Sequence, residues 1–249
     1  IEPAPSASPR ELYRRLSFGL TGLPPDPHQA ATFERDFAKS TAVLSSHAEK
    51  LMDSSHSGEP FARHWLDVAR YADAKGYVDA GEPKYPFAYT YRDYVVRAFN
   101  EDMPYDQFVR EQIAADLLGT KDSQSLAALG FLTVGSRYNF FPHEIIDDRI
   151  DVVTRGLLGL TAACARCHDH KYDPISQRDY YSFAAIFKAS YDEYNWLTPQ
   201  PFKNQWAGST RRHLEVMLPK DRRAVEARNG KLAEELKPLE EKFKAAKGK

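Results

Sequence analysis

The stretch Ile146-Asp-Asp-Arg-Ile-Asp-Val-Val-Thr-Arg-Gly-Leu-Leu-Gly-Leu-Thr-Ala-Ala-Cys164 decides how the fold is read. Its apolar residues Ile146, Ile150, Val153, Leu157, Leu160 and Cys164 follow at steps of four, three, four, three and four. That is the repeat of a single helix face, so the sequence predicts one helix running up to Cys164 with a continuous apolar stripe.

The same period recurs on both sides of this stretch. Ser8, Pro9 and Glu11 make a capping box that opens a helix over Glu11–Phe18, and Gly22 with Pro24-Pro25 closes it. Asp26-Pro27 starts a second helix with Phe33 and Phe37 on its apolar face. Phe61, Trp65, Val68 and Ala72 predict a helix over Glu59–Asp73, and Tyr91, Val95 and Phe99 predict another. After Pro104, residues Tyr105, Val109, Ile113 and Leu117 predict a helix stopped by Gly119. Ser176 and Asp179 form a capping pair before Tyr180, Phe183, Ala184 and Phe187. Period-two alternation is scarce, and Phe131–Val134 reads equally as strand, buried helix or loop.

The expected fold is therefore mainly α, an irregular multi-helix domain with long aromatic loops. Two such loops, Ala74–Ala88 and Ser190–Ser209, hold Gly, Pro and many aromatics, and loops of that length tend to be functional or disordered. From Pro219 the composition turns to alternating Lys/Arg and Glu. Only a thin apolar seam remains there, Val225, Leu232, Leu236, Leu239 and Phe243, interrupted by Pro238. The expected organisation is a helical domain over 1–218 and a charged helical spacer over 219–249. That spacer is expected to make an oligomer or coiled-coil contact and to lead into further sequence.

Composition narrows the function classes. The chain has 249 residues, 42% hydrophobic and 28% charged, with a formal net charge of -1. No global charge draws it to nucleic acid, and no unbroken apolar run reaches the length of a membrane span. The sequence starts at Ile1, as a processed chain or a fragment would. There is no Gly-rich phosphate loop, nucleophile-elbow serine or His-Glu-x-x-His zinc helix. The two cysteines, Cys164 and Cys167, exclude a disulfide framework.

Those cysteines belong to Cys164-Ala-Arg-Cys167-His168, the C-x-x-C-H attachment sequence of haem c. In it both thiols add across the haem vinyl groups and the histidine ligates the iron. On a helical turn, positions i, i+3 and i+4 share a face and can meet one macrocycle. Three other readings stay open: a zinc or iron site from Cys164, Cys167, His168 and His170, a redox C-x-x-C pair, and a pair of buried thiols.

Around this motif the chain resembles the planctomycete cytochrome-associated domain of unknown function 1549. The resemblance rests on Cys164–Ile175, Leu20–Pro25, Arg63–Asp73, Asp102–Gln112, Tyr91–Asp93 and Arg178–Tyr181, and covers about Glu11 to Ala189. It implies a periplasmic, cell-envelope or extracellular protein. It also implies a neighbouring cytochrome domain and a second uncharacterised domain in the longer chain.

With haem c as cofactor, Cys164 and Cys167 bind it and His168 is the proximal ligand. His64 is the first choice for the distal ligand, ahead of His143, Met103 and Met217. His170 is too close to His168 to reach the opposite haem face. Arg63, Arg70, Arg92 and Arg166 are candidates for the haem propionates. Glu144, Asp147, Asp148 and Asp151 read as favourable charge at a helix N-terminus. The expected function is a c-type haem domain of a larger exported redox protein, passing single electrons to a redox partner protein or neighbouring cytochrome domain. The alternatives are a haem enzyme with an open axial position and a non-catalytic envelope scaffold.

Overall fold

The computed structural model describes residues 5–73, 88–119, 124–135, 142–190 and 219–247. The helices are α1 (Pro9–Thr21), α2 (Pro27–Phe37), α3 (Val43–Met52), α4 (Gly58–Val68), α5 (Ala88–Asn100), α6 (Tyr105–Ala114), α7 (Pro142–Val153), α8 (Gln177–Ser190) and α9 (Pro219–Lys247). A 3₁₀ segment (Ser125–Leu132) lies between α6 and α7, and a π turn (Thr154–Leu158) and a 3₁₀ turn (Ala162–Arg166) lie between α7 and α8. Among the described residues there is no strand, so the fold is mainly α. Both long aromatic loops fall almost entirely outside the described residues.

A small core joins α1, α2 and α3. The Ser8 hydroxyl accepts from the Glu11 amide, and the Glu11 carboxylate accepts from the Ser8 amide at 2.8 Å, which satisfies two orphan donors of α1 at once. Gly22, at φ +68°, ends the helix in the left-handed conformation that a residue with a Cβ adopts only under strain. Asp26 caps α2 through the amides of His28 and Gln29. These caps aim Tyr13 and Phe33 at each other, with ring centroids 4.9 Å apart.

The larger core gathers α4 to α8. Its centre is the α4–α5 contact, where Gly58, Ala62 and Ala69 present small residues to Tyr91, Val95 and Ala98. A Cβ on Gly58 would stand 2.6 Å from the Val96 carbonyl oxygen, so the close approach requires glycine. Asn100 closes the same contact, its Oδ1 accepting from the Gly58 amide (2.7 Å) and the Ser57 hydroxyl (3.1 Å).

The buried face of α4 therefore differs from the expected one, since Phe61 and Val68 are exposed. The helix also stops at Val68, short of Asp73. Arg70 takes φ +58° in a Schellman closure, with the Tyr71 amide donating to Leu66 and the Arg70 amide to Asp67. A non-glycine residue there carries roughly 1 kcal/mol of strain.

On α6 the expected stripe is turned outward. Tyr105, Ile113 and Leu117 are exposed, Leu117 by 82%, while Phe108, Glu111 and Gln112 are buried. Hydropathy misses this because the partners of the polar pair lie on α5. The Tyr94 hydroxyl donates to Glu111 (2.9 Å) and the Tyr91 hydroxyl to Gln112 (2.8 Å). The indole of Trp65 donates in turn to Tyr91 (3.0 Å). Burial pushes both tyrosine hydroxyls well above their ordinary pKa, keeping them neutral donors. Phe131 and Leu132 end the 3₁₀ segment and are buried, which settles Phe131–Val134 against a strand.

The deciding stretch is corrected as well. It is not one helix. α7 ends at Val153, the π turn adds a residue to the helical repeat, and Gly159 at φ +68° reverses the chain. Leu158 is consequently 62% exposed, and Cys164 leaves the register of Ile146 and Ile150. Two glycines permit the break: a Cβ on Gly156 would lie 2.9 Å from Val68, and Gly159 supplies the left-handed residue.

The arm over 219–247 is a helix, as expected, but Pro238 does not interrupt it. No residue of α9 joins either core, and every side chain described in it is exposed.

Candidate functional site

The C-x-x-C-H motif begins in the 3₁₀ turn, with Cys164 and Arg166 inside it, Cys167 capping its end and His168 beyond. A 3₁₀ turn has three residues per turn, so side chains three apart eclipse each other. Ala162 and Ala165 are both buried, anchoring one edge of the turn on the core. Cys164 lies within the turn and Cys167 caps its end, and both are free and exposed. The exposure removes the reading of a buried thiol pair.

His168 follows the turn and is exposed. Its Nδ1 lies 2.7 Å from the backbone carbonyl oxygen of Asp169. A carbonyl can only accept, so Nδ1 is the donor, and in the neutral ring Nε2 is the nitrogen with the lone pair. A histidine that binds a metal through Nε2 has this arrangement.

His170 is used differently. Its side chain is 5% exposed, and its Nδ1 accepts from the amides of Asp173 (2.9 Å) and Tyr172 (3.3 Å). The Asp173 carboxylate also stands 3.2 Å from Nδ1, and Nε2 faces the Thr161 hydroxyl at 3.4 Å. Both ring nitrogens thus hold the loop, and the four-ligand zinc or iron reading loses one member. Among the described residues, no three His, Cys, Asp or Glu side chains are grouped so as to hold a metal ion.

Two helices grip the turn. From α7, Glu144 takes the Arg166 guanidinium at 3.1 and 3.3 Å, and Asp147 takes it at 2.5 Å. From α8, the Gln177 side chain (3.1 Å) and the Tyr181 hydroxyl (3.2 Å) donate to the Arg166 carbonyl. The Gln177 amide also donates to Asp169 at 2.8 Å, and the Tyr180 hydroxyl donates to Asp147. The Ser176–Asp179 capping pair forms as expected and starts α8 at the point that delivers Gln177.

Glu144 and Asp147 read in the sequence as helix-terminus charges. In the structure they are a carboxylate pair set three residues apart on the face of α7 that meets the motif. That spacing was the available signal. Gln177 and Tyr181 give no signal of their own, because their partner is a backbone carbonyl.

The guanidinium of Arg166 holds the Glu144 carboxyl below its ordinary value of 4.5. A carboxyl depressed on folding adds stability that is complete above its unfolded value and is lost as pH falls through the folded one. Glu144→Gln should therefore flatten the acid side of the stability profile. The urea midpoint followed from about pH 6 to about pH 3 checks this, and equal slopes in the two proteins would remove the clamp from the account.

The remaining expected site residues are dispersed. Arg63 and His64 are exposed on α4, which packs against α1 and α5, whereas the motif turn packs against α7 and α8. Of the four arginines expected at haem propionates, Arg166 is held by its two carboxylates, Arg92 pairs with Asp93 at 2.8 Å, and Arg63 is at the surface. Arg70 pairs through Nη1 with Asp148, and its Nε and Nη2 are buried without a hydrogen-bond partner among the described residues. Burial outweighs the arginine at Asp148, whose carboxyl is pushed up. His143 is exposed beside Glu144, and Met103 packs against the larger core. Met217 lies outside the described residues.

No helix among the described residues is long and apolar enough to cross a membrane. No curated protein and no solved structure matches the chain. A family model does: the one described as PSCyt2, protein of unknown function (DUF1549), matches residues 1–192, and the chain belongs to that family.

Proposed function

We propose that the chain is the c-type haem domain of a larger exported redox protein, passing single electrons through one covalent haem c. The observation that carries this is the state of the motif. Two free, exposed thiols stand three residues apart at the end of one turn, followed by an exposed imidazole whose Nδ1 lies 2.7 Å from a backbone carbonyl oxygen. These groups fit what haem c needs from a polypeptide: two sulfurs for thioether bonds and one nitrogen lone pair for iron.

Cys164 and Cys167 would carry the haem, and His168 would be its axial ligand. Arg166 touches no cofactor in this reading. It is a positioning residue that keeps the turn on α7. When bound, the haem supplies one-electron chemistry, and its covalent attachment suits a periplasmic, cell-envelope or extracellular site by retaining the cofactor there. The partner is a redox protein or a neighbouring cytochrome domain.

The placement of His64 on a helix that packs elsewhere favours a second reading, in which the other axial position is open and the domain is a haem enzyme. Intact mass and a pyridine haemochrome spectrum of the chain, made with cytochrome c maturation enzymes, test both. One added haem, with a low-spin spectrum indifferent to cyanide and carbon monoxide, is the expected result for the electron carrier. A high-spin, ligand-binding spectrum would replace it with the enzyme. No added mass and no Soret band would leave an envelope scaffold and end the haem reading.

A further inference from the structure

Cys167 and His168 are bracketed by one residue of α8. The Gln177 side chain donates to the Arg166 carbonyl (3.1 Å), and the Gln177 backbone amide donates to the Asp169 carboxylate (2.8 Å). Gln177 is the first residue of α8, so its amide has no acceptor within the helix. Asp169 supplies that acceptor from eight residues back and sets a negative charge at the positive end of the helix.

A second bond lies inside the loop that this contact closes. The His170 amide donates to the Ile175 carbonyl at 2.8 Å. The same peptide group carries the Asp169 carbonyl, and a peptide group is planar and trans. Aiming its N–H at Ile175 therefore aims the Asp169 carbonyl the opposite way. That carbonyl stands 2.7 Å from Nδ1 of His168. Asp169 is thus held through its side chain by α8 and through its following amide by Ile175, while its carbonyl holds the imidazole.

A neutral imidazole has two tautomers, and in water the one with its proton on Nε2 prevails. An acceptor fixed beside Nδ1 reverses that preference and puts the lone pair on Nε2, the nitrogen that an axial bond would use. We infer that Asp169 is a positioning residue for His168: its carboxylate, bound to the Gln177 amide, steadies the carbonyl that keeps the ring proton on Nδ1. As the setting of an iron ligand this rests on the proposed haem c. As a statement about the ring it does not.

Long-range ¹H–¹⁵N correlation of the histidine rings reads the tautomer directly. It is recorded on the 249-residue chain before haem attachment, at about pH 9, where an ordinary imidazole is neutral. The signal missing from His168→Ala identifies the ring among the eight histidines. The parent should be mainly the Nδ1–H form. Asp169→Ala should lower the ratio of Nδ1–H to Nε2–H about fivefold, the worth of one hydrogen bond. Asp169→Asn keeps an oxygen that accepts from the Gln177 amide and should stay within about twofold of the parent. Asp169 is exposed and belongs to neither core, so these variants keep the folded domain. Gln177→Pro removes the amide at a helix position that proline tolerates, whereas Gln177→Ala retains it. Proline should reproduce the Asp169→Ala shift and alanine should not.

An unchanged ratio in Asp169→Ala would overturn the inference. So would an Asp169→Asn chain as shifted as the alanine one, or equal ratios for proline and alanine at position 177. In the haem-loaded chain, Asp169→Ala should keep its thioether-bound haem and raise the midpoint potential, because an imidazole without an acceptor at Nδ1 is a poorer donor to ferric iron. A potential equal to the parent's would also overturn the positioning role. A parent that takes up no haem would instead end the proposed function and leave the tautomer ratios to decide this inference.

Discussion

Replacing both Cys164 and Cys167 by alanine should abolish haem staining of the chain on a denaturing gel. Thioether bonds survive detergent and axial ligation does not, so stain in the denatured chain reports the two sulfurs alone. The loss should be complete, because these are the only cysteines in the sequence. The fold should persist, since both side chains lie outside the buried core, and the helical circular dichroism of the variant provides that control. His168→Ala separates attachment from ligation. It leaves both thiols in place, so stain is retained while the absorbance spectrum shifts. His64→Ala should change neither, because His64 is exposed on α4, whose main packing is with α1 and α5, while the turn's is with α7 and α8. Covalent haem retained by the double cysteine variant would refute the assignment of the centre. A spectrum altered by His64→Ala would show that the helix approaches the turn in the loaded protein.

The largest loss of stability is expected from a single methyl group, in Gly130→Ala. The added Cβ would stand 2.6 Å from the Cβ, Cγ and Cδ2 atoms of Tyr91, the root of the side chain, which cannot swing aside. The far end of the ring is fixed too, since its hydroxyl accepts from Trp65 and donates to Gln112. Either the 3₁₀ segment lifts off α5 or the buried hydrogen bonds break. Overpacking of this kind costs about 3 kcal/mol. Gly19→Ala makes the contrast. That position is in the interior of α1 with nothing within 4 Å of the added methyl, so it should gain roughly 0.5–1 kcal/mol. Urea midpoints of the two variants should move in opposite directions. Equal midpoints would mean that the segment yields freely and that Tyr91 is not held as described.

What the sequence disclosed follows from the range of the interactions involved. Caps are local, and those at Ser8, Asp26 and Ser176 were legible because donor and acceptor lie within a few residues of each other. The helix faces were less so. On α6 the period of four along Tyr105, Ile113 and Leu117 was real, yet the face that turned inward carries Glu111 and Gln112. Hydrogen bonds from tyrosines on α5 make that orientation affordable, and hydropathy along one helix cannot register a partner on another. The stripe from Ile146 to Cys164 failed for a related reason. Its spacing fits an unbroken helix, but Gly156 and Gly159 admit a π turn and a left-handed residue, and Val68 comes close enough to Gly156 to exclude a side chain there. The motif itself was legible as a sequence pattern. The hold upon it was not, because Arg166 is gripped from residues 144 and 147 on one side and 177 and 181 on the other.

That two-sided grip bears on transplantation. A designer who grafts the pentapeptide alone onto a foreign scaffold would obtain a floppy dithiol loop, since neither its shape nor its histidine's orientation is encoded within five residues. The smallest portable cassette runs from the carboxylates before the turn to the tyrosine after it, Glu144 through Tyr181, with the seat beneath the two buried alanines supplied by the recipient.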